Sequence, residues 1–114
     1  MKPALYIAYI SGAGGVSTAL FYISGSVVAG IDAGTGKYSG RVDLTQGGGL
    51  KASVTLTIPA GIPLLTGVPP LEAPMVVPLD FELPPGFEDG SEVVTIAFSF
   101  GEVNVRFEKM MELE

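Results

Sequence analysis

The chain has 114 residues and a formal net charge of −6, from twelve acidic and six basic side chains, and it contains no cysteine, histidine or tryptophan. That length suits one domain, residues 1–114, able to bury a core without metal or disulfide staples. The missing residue types exclude disulfides, thiolate metal sites, cysteine nucleophiles and imidazole bases, and the scattered cations Lys2, Lys37, Arg41, Lys51, Arg106 and Lys109 exclude a phosphate-binding patch for nucleic acid.

Along the chain, Met1-Lys2-Pro3 and the apolar run Ala4 to Ile10 have the outline of a short signal peptide. Leu5, Ile7 and Tyr9 alternate with Tyr6, Ala8 and Ile10, however, and the segment is read as a strand. No run reaches the roughly 18 apolar residues of a membrane helix, so no membrane span is predicted and the expected location is the cytoplasm. Gly12-Ala13-Gly14-Gly15 is read as a flexible turn, because a phosphate cradle needs a helix behind it and a strand follows. Ala19 to Ile23 and Ser26 to Ile31 flank a tight turn at Ser24-Gly25. Leu20, Phe21, Tyr22, Ile23, Val27 and Val28 make these strands apolar on both faces, which predicts a second subunit over the outer one.

Gly34-Thr35-Gly36-Lys37 looks like the end of a nucleotide-binding loop. Ile31 and Tyr38 stand where that loop needs a glycine and a Mg²⁺-binding hydroxyl, so it is a hairpin loop. Tyr38, Val42 and Leu44 then alternate with Lys37, Ser39, Arg41 and Asp43. After the flexible link Gly47-Gly48-Gly49, Leu50, Ala52, Val54, Leu56 and Ile58 oppose Lys51, Ser53, Thr55 and Thr57, the pattern of a half-buried strand. Pro59 to Pro74 carries five prolines and cannot be a ladder. Within it Gly61-Ile62-Pro63-Leu64-Leu65 is expected to cap one barrel mouth as a short helical or irregular segment. Met75, Val77, Leu79, Phe81 and Leu83 share the next apolar face, and Glu88-Asp89-Gly90 is read as a turn. Val94, Ile96, Phe98 and Phe100 alternate with Val93, Thr95, Ala97 and Ser99; a hairpin at Gly101-Glu102 leads into Val103, Val105 and Phe107.

Eight such segments predict an all-β fold, an antiparallel up-and-down barrel of the lipocalin-like kind. Charged residues are only 16% of the chain and apolar ones 47%, so apolar surface must be hidden in a core, an interface or a cavity. Two uses of the lumen stay open: side-chain packing, or a small apolar ligand held among Leu50, Val54, Leu56, Met75, Val77, Leu79, Phe81, Ile96 and Phe98. No catalytic residue, metal or cofactor is predicted. The acids Glu88, Asp89 and Glu92 fall near a turn and Glu108, Glu112 and Glu114 at the C-terminus, without the facing pair of a glycosidase or the spacing of a calcium loop. The expectation is a non-enzymatic homodimer acting by protein interaction, with binding of a small apolar ligand as the alternative.

Gly25, Gly30 and Asp32, followed by Tyr38 and Gly40, resemble the signature of the GrlR-like family, small negative regulators of type III secretion: glycine, four residues, glycine, one residue, aspartate, a short loop, then tyrosine-x-glycine. The resemblance covers the first half of the chain and implies a lipocalin-like barrel that dimerises and regulates by protein contact. The acidic loop expected after the motif is absent from Leu44-Thr45-Gln46-Gly47-Gly48-Gly49-Leu50, so the family's partner and its secretion role do not follow. Read from the residues themselves, Gly25 and Gly30 permit tight backbone geometry, Asp32 accepts backbone N–H bonds of the next loop, and Tyr38 brings bulk and one hydroxyl needing a partner.

Overall fold

A computed structural model describes residues 2–98 and 100–113, apart from the side chain of Phe98. Met1, Ser99 and Glu114 lie outside the described residues, and so does the Phe98 side chain named above as a lumen candidate. Eight strands follow in chain order: β1 (Ala4–Gly12), β2 (Gly15–Ser24), β3 (Val27–Asp32), β4 (Lys37–Leu44), β5 (Leu50–Ile58), β6 (Met75–Leu83), β7 (Asp89–Phe98) and β8 (Gly101–Glu112). They form one antiparallel sheet in the order β6-β5-β4-β3-β2-β1-β8-β7. Every neighbour in the chain is a neighbour in the sheet except β6 and β7, and the ends meet through a β1–β8 ladder. The sheet curls until β6 and β7 come near one another, and no ladder joins them among the described residues. This is the predicted eight-stranded antiparallel barrel.

Two-residue periodicity sorts the side chains. Ala4, Tyr6, Ala8 and Ile10 of β1 are buried inward, and β5 alternates buried and exposed from Leu50 to Ile58 without a break. In β2 the inward set is Ala19, Phe21 and Ile23, leaving Leu20 and Tyr22 outside. Strand ends overrun the core, so Leu44 and Met75, expected inside from the alternation, are exposed.

The capping segment takes the irregular of its two expected forms, and one turn needs correction. No helix occurs among the described residues; 59–74 is turns and irregular backbone, because prolines remove N–H donors and bias their predecessors away from the α region. The turn expected at Glu88-Asp89-Gly90 comes earlier, with Gly86 at φ 80°, and Asp89 already pairs with Glu108 before an irregularity ending at Val93. The earlier turn sends Phe87 into the interior, where it is buried.

Phe87 closes one end of the barrel. Its ring stacks on Tyr6 at 5.8 Å and meets Phe107 edge-on at 6.1 Å. Phe107 lies 5.9 Å from Phe21, which meets Tyr38 edge-on at 5.0 Å. This aromatic column runs from the closed end towards the other mouth, where the β1–β2, β3–β4 and β7–β8 turns gather.

Candidate functional site

At that second mouth the barrel is hollow. A cavity of about 420 Å³ is walled by Ile10, Phe21, Leu56, Ile58, Leu79, Phe81, Ile96, Val103, Val105 and Phe107, and covered by Ile62, Leu64 and Leu65 of the proline-rich segment. The volume is within the range of small-molecule sites, roughly 300–1,000 Å³. The cover is anchored to the β1–β2 turn, where Gly14 N–H donates to the Leu65 carbonyl at 2.6 Å. A Cβ on Gly12 would collide with that carbonyl, and one on Gly14 with the Leu64 carbonyl and the backbone of Gly67. The glycines read as a flexible turn are thus where the cover seats against the barrel.

Asp32 breaks the apolar lining. It follows Val28 and Gly30 on the inward side of β3, and it is the only charged residue among the described residues lining the cavity. One carboxylate oxygen, Oδ1, accepts N–H bonds from Gly34 at 3.0 Å and Gly36 at 2.8 Å; the other, Oδ2, accepts the Tyr38 hydroxyl at 2.8 Å. The first two bonds are the loop-closing role expected of Asp32, and the third supplies the partner that Tyr38 needs. Burial, and then the Asp32 charge and hydrogen bond, push the Tyr38 phenol well above its ordinary range, so its proton stays in place. Gly30 makes room for this arrangement, since a Cβ there would enter the Phe21 ring.

The lumen candidates divide by depth. Leu56, Leu79, Phe81 and Ile96 line the cavity. Leu50, Val54 and Val77 are buried in the core away from it, and Met75 is exposed at the start of β6. Of the motif residues, Asp32 and Tyr38 line the cavity; Gly25 forms the β2–β3 turn at φ 58°, and Gly40 abuts the β5 backbone at Ser53 and Val54. Phe21, Ile10 and Phe107 were not among the candidates. The inward alternation of β8 marks Phe107 in the sequence, whereas nothing there tells Phe21 from its outward neighbours.

Outside the barrel, β1 to β3 carry an apolar stripe. Leu20 is 41% exposed and Ile31 45%, and Leu5, Ile7 and Tyr22 extend the same face. One register row reads Lys37, Ile31, Leu20, Ile7, Glu108, with a cation at one flank and an anion at the other. The Arg106 guanidinium sits 4.3 Å over the Tyr9 ring nearby. No group of acids that could hold a metal ion occurs among the described residues, and no helix among them is long and apolar enough to cross a membrane. No family model, curated protein or solved structure matches the chain.

Proposed function

We propose that this chain is a non-enzymatic binding protein that holds one small apolar molecule in the lumen of its barrel. The observation that carries the reading is the hollow mouth: an apolar cavity of about 420 Å³ under a separate covering segment, while the other end is filled by Phe87. Eight-stranded barrels either fill their interior or hold one small ligand. This one does the first at the closed end and the second at the mouth. Titration with N-phenylnaphthylamine, a neutral probe that brightens in apolar surroundings, is expected to show saturable binding at one site. Leu79→Trp would project an indole into the cavity and lower probe affinity by roughly tenfold or more, a loss of about 1.4 kcal/mol. Because the chain has no other tryptophan, the emission of the new side chain also reports whether the barrel has formed. Absence of saturable probe binding to the unmodified chain would end the reading.

The outer stripe favours a second, compatible reading: a homodimer that acts by protein contact, as the GrlR-like resemblance implies. A two-fold axis parallel to the strands brings Lys37 of one copy opposite Glu108 of the other and stacks Ile31, Leu20 and Ile7 between them. Light scattering is expected to give a dimer, and Leu20→Lys a monomer with the same circular dichroism spectrum. A monomeric unmodified chain at micromolar concentration would remove this reading and leave the first intact.

A further inference from the structure

The polar groups on the cavity wall restrict what the ligand's head can be. Four lining side chains carry such groups: Ser17, Asp32, Tyr38 and Thr66. Asp32 has no proton to give when ionised. Because a carboxylate only accepts, the Tyr38 hydroxyl must be the donor in their 2.8 Å bond, which commits its single proton and leaves its oxygen lone pairs. The Ser17 hydroxyl lies 3.4 Å from the Thr18 carbonyl at the exposed rim. The Thr66 Oγ1, on the covering segment, is buried and without a partner among the described residues. The Gly34 and Gly36 N–H groups are taken by Asp32 Oδ1. The Asp32–Tyr38 pair therefore offers the hollow acceptors and one negative charge, with no Lys or Arg among the described lining residues.

Resting on the lumen-binding reading above, we infer that the ligand is a neutral amphiphile: an apolar tail ending in a hydroxyl or amide that donates a hydrogen bond to Tyr38 Oη or Asp32 Oδ2. A carboxylate head would sit beside the Asp32 carboxylate with no lining Lys or Arg to offset the two like charges, and burying an uncompensated charge is costly. An ammonium head is attracted by Asp32, but that carboxylate already accepts three hydrogen bonds, and an apolar wall replaces little of the hydration the cation gives up. A neutral donor loses least on entry. It also gives the tyrosine oxygen a partner.

The same geometry predicts how to change the preference. In Asp32→Asn, the side-chain oxygen must stay with the Gly34 and Gly36 N–H groups, so the amide nitrogen faces Tyr38 and donates to its oxygen. The tyrosine proton is then free to point into the cavity, and the formal charge is gone. The site changes from acceptor to donor.

The test is displacement of N-phenylnaphthylamine by decanol, decanoate and decylammonium at pH 8, on the unmodified chain and on Asp32→Asn. Decanol is expected to displace the probe with roughly tenfold or greater preference over both ions, and in Asp32→Asn the ratio of decanol to decanoate affinity should fall by roughly tenfold or more. Decanoate or decylammonium binding as tightly as decanol to the unmodified chain would overturn the inference, as would an unchanged ratio in a folded Asp32→Asn protein. A merely structural role for Asp32 would weaken all three ligands together and leave the ratio where it was. Should Asp32→Asn not fold, the three-ligand comparison on the unmodified chain decides alone. Failure of the probe itself to bind is a different result, and it strikes the lumen-binding reading instead.

Discussion

Gly40→Ala is expected to lower the unfolding free energy by about 3 kcal/mol, the upper part of the range for overpacking. The residue sits inside β4, paired with Val54 on one side and Val28 on the other. A Cβ there would strike the Ser53 carbonyl and lie 2.7 Å from the Val54 Cα. Both obstacles are backbone of the adjacent strand, which cannot rotate away as a side chain can. Glycine inside a strand marks a sharp bend or a close backbone approach, and at Gly40 the sheet curls tightly enough to require it. Gly25→Ala is the informative contrast. Gly25 has φ 58° and open space around its missing Cβ, so only the left-handed backbone is penalised, at about 1–2 kcal/mol. Urea titrations of the two variants should therefore differ in midpoint, with Gly40→Ala the less stable. Equal midpoints would mean that β4 and β5 relax apart freely.

The contrast bears on what the residues alone reveal. The β5 pattern was legible end to end, because one face is apolar and the other polar, and a half-buried strand needs nothing more. Strands β2 and β3 were legible as strands but not as to face. Leu20 and Phe21 are equally apolar, and only the pairing of Tyr6 with Phe21 and of Ile7 with Leu20 sends Phe21 inward. The same limit explains the candidate site. Periodicity says which side of a strand faces the lumen and is silent on depth, so Leu50 and Val77 could not be told from Leu56 and Leu79. Depth depends on what else enters the barrel: Phe87 from a turn, Leu64 and Leu65 from a proline-rich segment with no period of its own. Asp32 was legible as a turn residue, and its second exposure, to the cavity, follows from sharing a side of β3 with Val28 and Gly30.

Phe87→Ala, the other large effect, tests how the closed end and the hollow end are joined. The ring is 2% exposed and packed between Tyr6 and Phe107, so truncation should cost about 3–5 kcal/mol. Phe107 is shared: it lines the mouth cavity on one side and touches Phe87 on the other. Removing the Phe87 ring therefore frees Phe107 to move towards the vacated space and lengthens the cavity along the barrel. A ligand stabilises the folded chain in proportion to RT ln(1 + [L]/Kd), so part of the lost stability is recoverable by a molecule long enough to reach the new space. Thermal unfolding of Phe87→Ala should rise more with tetradecanol than with decanol at equal concentration, whereas the unmodified chain should prefer the shorter alcohol. The same preference in both proteins would show that Tyr6 and Phe107 close over the void, and that the aromatic column is a wall between two compartments rather than the floor of one.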